Sequence, residues 1–170
     1  MNKSALYNIF RTILGVFKAY NAKLVHGIPI YDNRTWVKYL PISESPSPDN
    51  SLFNRLHSYH QRLKILAQRI RDFGAEVILV TQPTAEFRLK ERQVWVVHDK
   101  DGELETKGYE IMNAFNRVTM DVCHQVKAIC IDLARSIEFK DGDFYDRIHN
   151  TDIGTKKIGR FLFESLKEHF

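Results

Sequence analysis

Glu76-Val77-Ile78-Leu79-Val80-Thr81-Gln82-Pro83 is the stretch that decides the fold. Val77 to Val80 are apolar without a break, so a strand here has no polar face to turn to water. It must be covered on both sides, which is the condition of a strand in a parallel sheet. Ala128-Ile129-Cys130-Ile131-Asp132-Leu133 reads the same way. Ahead of the first strand, Leu52, Leu56, Tyr59, Leu63, Leu66, Ile70 and Phe73 alternate steps of four and three. That spacing predicts a helix opening near Pro48-Asp49-Asn50-Ser51 and capped by Gly74. Between the strands, Ile111, Phe115, Val118 and Val122 share one face of a helix from about Tyr109 to Gln125. After the second strand, Ile158, Phe161, Leu162, Ser165 and Leu166 form the inner face of a closing helix. Helix–strand–helix–strand–helix is the order of a layered α/β fold with a parallel sheet.

Outward from this centre the pattern is less regular. Leu6, Ile9, Phe10, Ile13, Leu14 and Phe17 predict an amphipathic first helix with Ser4 as its candidate N-cap. Asn8, Arg11 and Lys18 interrupt it, and it is too short and too polar for a membrane span or a signal peptide. Pro29, Pro41, Pro46 and Pro48 make residues 21–50 a long irregular connection. Residues 92–108 read as an inserted hairpin, with Trp95-Val96-Val97-His98 returning through Asp99-Lys100-Asp101-Gly102 to Glu103-Leu104-Glu105-Thr106. Trp36 and Trp95 are expected to pack under these long loops.

The 170 residues are 44% hydrophobic and 27% charged, with a net charge of +4, which fits one globular domain. Lys and Arg are spread along helix faces, and Lys156-Lys157 is the longest basic run. No nucleic-acid patch is therefore expected. Cys123 and Cys130 have neither zinc-finger nor Cys-x-x-Cys spacing, and are read as small buried apolar residues. With no signal peptide, a cytoplasmic setting is favoured. His57 and His60 stand three apart without a third ligand at metal spacing, so they belong to a solvated helix face. His98 is expected at the surface, and Asp132 is expected to bond the backbone of the loop that follows it.

The chemistry lies in Asp143-Phe144-Tyr145-Asp146-Arg147-Ile148-His149-Asn150-Thr151-Asp152-Ile153-Gly154. Asp146 and His149 are three residues apart where a loop enters a helix. From there the carboxylate reaches one imidazole nitrogen, fixes the tautomer and steadies the imidazolium formed when the other nitrogen takes a proton. Gly154 allows close packing where the chain turns into the last helix. The plain alternative is an ion pair that staples the loop.

A buried strand, a loop, Asp-x-x-His, a Gly five residues on and an amphipathic helix resemble the last conserved block of SGNH (GDSL-type) serine ester hydrolases. The likeness extends back through the strand ending Val80-Thr81-Gln82-Pro83-Thr84 and the segment Tyr109–Asn116. It reaches Ser4-Ala5-Leu6-Tyr7, which is similar to the helix after the third block of bacterial members. The resemblance implies a flavodoxin-like three-layer sheet, His149 as general base, Asp146 as its orienter, and no metal or organic cofactor. The implied substrate is an ester or O-acylated sugar, lipid or small molecule. The family's Gly-Asp-Ser nucleophile segment does not occur. Gly27 and Asn33 lack the flanking residues of the Gly and Asn blocks that build the oxyanion hole. The chain thus reads as an incomplete C-terminal portion, residues 1–170, with the N-terminal strands missing and self-association through an open sheet edge expected. The alternative is a non-catalytic interaction protein or truncated paralogue.

Overall fold

The computed structural model describes residues 5–21, 35–40, 50–91, 93–97 and 106–169. In chain order the elements are α1 (Ala5–Asn21), β1 (Trp36–Lys38), α2 (Asn50–Asp72), β2 (Ile78–Val80), β3 (Phe87–Lys90), β4 (Gln93–Val97), α3 (Thr106–Gln125), β5 (Ile129–Ile131), α4 (Leu133–Ser136) and α5 (Asp152–Leu166). The protein is mixed α/β, with one parallel pair of strands and one three-stranded antiparallel sheet.

The two apolar stretches form the parallel pair, with Ile78 opposite Ile129, Leu79 opposite Cys130 and Val80 opposite Ile131. Because side chains alternate along a strand, each face takes every second residue. Val77 and Leu79 join Leu63 and Ala67 of α2 and Val122 and Cys123 of α3 in one buried cluster. Ile78, Ile129 and Ile131 turn the other way, onto Leu133, Ile137, Phe139 and Phe144 and the α5 residues Ile158, Phe161, Leu162 and Leu166. Helices therefore cover both faces, as the unbroken apolar runs require. Each such side chain removed from water contributes about 1.5–3 kcal/mol before chain entropy is counted.

Gly74, at φ +85°, ends α2 in a conformation that a Cβ would oppose. The inner face of α2 is narrower than its heptad-like spacing suggests. Leu63 and Ala67 are buried, whereas Leu66 and Phe73 are exposed, Phe73 at 89%. The hydrophobic face of α1 is also in water: Ile9, Phe10, Ile13 and Phe17 are each more than half exposed.

Four sequence expectations need correction. The hairpin containing Trp95 is formed with the segment before it: β3 pairs with β4 from Phe87–Val96 to Lys90–Gln93. The other edge of β4 is taken by β1, with Trp36 opposite Val97. Both sides of β4 are thus filled, Thr106 is already helical, and residues 98–105 lie outside the described residues. The connection 21–50 is therefore not wholly irregular, since Trp36–Lys38 is a strand within it. Trp36 stands in this strand, and the Arg88 guanidinium stacks 4.2 Å from its ring centroid. Finally, Cys123 and Cys130 are joined as a disulfide, with Cα atoms 5.7 Å apart. The end of α3 and β5 meet there, which brings the buried Cys123 and the half-buried Cys130 within bonding reach. Ser4, Gly27, Asn33 and His98 lie outside the described residues.

Candidate functional site

The site is built where the parallel strands end and the chain returns from α4 toward α5. Thr81, just past β2, donates its hydroxyl to Asp132 Oδ1 at 2.8 Å and accepts from the Ala134 amide at 3.0 Å. The Asp132 carboxylate therefore ties the two strand ends together through Thr81 and makes no side-chain cap on the helix that follows. One residue on, Gln82 is gripped twice by Asn116 of α3: its amide donates to Oδ1 at 2.9 Å and its carbonyl accepts from Nδ2 at 2.8 Å. Such paired bonds satisfy backbone groups that the sheet no longer pairs.

The loop carrying Asp146 and His149 is anchored from below. Asp143 is buried, and its Oδ2 accepts from the Lys140 amide at 2.7 Å and from Lys157 of α5 at 2.5 Å. Lys157 is thus the partner of a buried carboxylate, not one of the solvated charges expected of the Lys156-Lys157 pair. Thr151 is the N-cap of α5; its amide donates to the Asp143 carbonyl at 3.0 Å and its hydroxyl donates to the Gly142 carbonyl. Gly154 sits where an added Cβ would lie 2.1 Å from the Asp143 carbonyl oxygen, so the close approach expected at that glycine is present.

Asp146 then folds over the turn it begins. Its Oδ1 accepts from the amides of Ile148 at 2.9 Å and His149 at 2.7 Å, and its Oδ2 lies 2.6 Å from His149 Nδ1. The two backbone amides, and then the imidazole, hold the Asp146 carboxyl well below the usual carboxylate range. An ionised carboxylate only accepts, so the imidazole proton belongs on Nδ1 and Nε2 is the nitrogen suited to take another. Tyr145 stacks on the His149 ring, 5.6 Å between centroids and 12° from parallel. The His149 side chain is 55% exposed and Asp146 22%.

Both residues line a cavity of about 720 Å³. Val80, Ile111, Met112, Phe115 and Ile148 give it an apolar wall, and Arg55, Thr84, Glu86 and Arg147 supply polar groups. Glu86 is buried, pairs with Arg147 and packs against Gly108, where a Cβ would meet its Oε2 at 2.3 Å. A smaller cavity of about 210 Å³ lies between β3, β4 and α3, away from His149.

The sequence pair is therefore brought together, whereas His57 and His60 stay on α2 as exposed and half-buried residues. Sequence reasoning missed Gln82–Asn116, Glu86–Arg147 and the Tyr145 stack. Only Tyr145, one residue before Asp146, had a local signal. Among the described residues no cluster of His, Cys, Asp and Glu is arranged to hold a metal ion. No described helix is long and apolar enough to cross a membrane. Compared with protein-family models, curated proteins and solved structures, the chain matches none.

Proposed function

We propose that this chain is the C-terminal portion of an SGNH-type serine ester hydrolase, in which His149 is the general base and Asp146 its orienter. The observation that carries the reading is the 2.6 Å contact between Asp146 Oδ2 and His149 Nδ1 on the wall of an open cavity. In the complete enzyme, His149 Nε2 takes the proton of a serine hydroxyl as its oxygen attacks the ester carbonyl, then returns it to the leaving alcohol. Asp146 keeps the proton on Nδ1 and stabilises the imidazolium between the two steps. The serine and the oxyanion donors come from a Gly-Asp-Ser segment and Gly and Asn blocks that these 170 residues do not contain. The parallel pair β2–β5 is then the end of a larger flavodoxin-like sheet, with the site at the carboxyl ends of its strands. The substrate is an ester or O-acylated sugar, lipid or small molecule, and no organic cofactor or metal takes part.

A second reading, a non-catalytic interaction protein, draws on the exposed apolar face of α1. The test supplies the absent half, from upstream reading frame or from a Gly-Asp-Ser-containing hydrolase, and assays short acyl esters. The isolated chain is expected to hydrolyse them no faster than His149→Ala. The completed protein is expected to be active, to lose several orders of magnitude with His149→Ala, and to lose less with Asp146→Asn. A completed protein indifferent to both substitutions, or an isolated chain that accumulates an acyl-serine, overturns the reading.

A further inference from the structure

The cavity beside His149 has one charge that nothing on its walls neutralises. Of its four ionised side chains, Glu86 is paired with Arg147, and Asp146 is engaged by His149 and two backbone amides. Arg55 of α2 is left with the face of Phe115, its guanidinium 5.6 Å from the ring centroid, and no described carboxylate pairs with it. Stacking holds the cation at the cavity wall without cancelling its charge.

Behind this lies the apolar wall. Val80 and Ile148 are 37% and 43% exposed and both line the cavity with Ile111, Met112 and Phe115, an arrangement that favours a hydrocarbon segment over water. Thr84 lines the same cavity and is 3% exposed, yet its hydroxyl has no partner among the described residues. An unpaired buried hydroxyl is a standing cost. A polar atom reaching it from the cavity would relieve that cost.

We propose that this cavity binds an anionic amphiphile, with its hydrocarbon chain on Val80, Ile111, Met112 and Phe115, its anionic group at Arg55 and a hydrogen bond from Thr84. If the chain belongs to an ester hydrolase, on which the identity of a substrate rests, the favoured esters carry a negative charge beyond the scissile bond. Binding itself needs no turnover.

The experiment titrates the full chain, carbon-13-labelled at its methyl groups, with sodium hexanoate, 1-hexanol and hexylammonium chloride. Hexanoate is expected to shift the Met112, Ile111 and Val80 methyls and to bind about three- to tenfold more tightly than hexanol, with hexylammonium weakest. The excess is expected to vanish in Arg55→Gln and at about 0.5 M sodium chloride, and to persist in Arg55→Lys. Thr84→Val is expected to weaken hexanoate binding severalfold while leaving the protein folded and no less stable, because an isosteric methyl replaces an unpaired hydroxyl. Equal affinity for hexanoate and hexanol, a preference unchanged in Arg55→Gln, or no methyl shift with any of the three overturns the proposal. Failure here beside a His149-dependent completed enzyme would sink this inference alone. Hexanoate binding beside an inactive completed protein would sink only the hydrolase reading.

Discussion

Replacing Gly154 with alanine places a methyl group 2.1 Å from the Asp143 carbonyl oxygen, 3.0 Å from its carbon and 3.2 Å from Asn150 Nδ2. The offending atom belongs to the backbone, so no side-chain rotation relieves it, and α5 must back away from the loop by roughly 1 Å. Two opposing effects then compete. Alanine favours a helix over glycine by about 1 kcal/mol at most, and less in the first turn. Against this, overpacking costs about 1–3 kcal/mol. The Thr151 amide and hydroxyl, which bind Asp143 and Gly142, weaken together at about 1 kcal/mol each. The clash wins, with a net loss of about 2–5 kcal/mol, which for a chain of 170 residues lowers Tm by about 4–20 °C. Gly159 lies in the same helix with nothing within 4 Å of its Cβ position. Gly159→Ala should therefore keep only the propensity gain and raise Tm by about 2–4 °C. Paired thermal melts followed by circular dichroism make the comparison. Gly154→Ala melting at or above the parent, with Gly159→Ala no better, would refute the claim that close packing sets this loop.

The Asp146 carboxyl titrates below its ordinary value near 3.8. A depressed folded value means that the stabilisation is complete above the unfolded value and is lost as pH falls through the lower folded one. Carboxyl-carbon NMR is expected to show Asp146 ionised below pH 3.8, with the His149 amide shift following the same titration; an ordinary titration would contradict the turn geometry. In a second test, the lone chain is expected to associate at low micromolar concentration through β2, whose only ladder partner among the described residues is β5. Sedimentation checks this, and a stable monomer with strongly protected amides at 76–82 would refute it.

What the sequence revealed divides by the range of the interactions involved. Val77–Val80 and Ile129–Ile131 carried their environment in composition, because an unbroken apolar run has only one kind of place to go. Asp146 and His149 were legible because the bond is local: three residues and one turn bring carboxylate to imidazole. The partners of β4 were not, since Gln93–Val97 pairs as readily with a segment before it as with one after it, and β1 arrives from more than fifty residues away. The Cys123–Cys130 bond depends on how far α3 runs before the chain turns back into β5, which no spacing rule states. Leu66 and Phe73 lay on the expected stripe but are exposed, because periodicity gives a direction and not the extent of what packs against it.

The short parallel pair puts a strand and the His149 cavity side by side. Two paired strands of three residues are marginal on their own, and here helices pack on both of their faces. Val80 ends β2 and also lines the cavity beside His149. A strand added beside β2 would therefore lie next to a residue of the cavity wall. A segment that docks there is placed to change what His149 faces. An isolated chain that pairs with its own copy should for the same reason alter the surroundings of Val80 and His149 together. Methyl and imidazole resonances of those two residues should then shift on one concentration profile, the one that sedimentation reads; a His149 signal indifferent to association would separate the edge from the site.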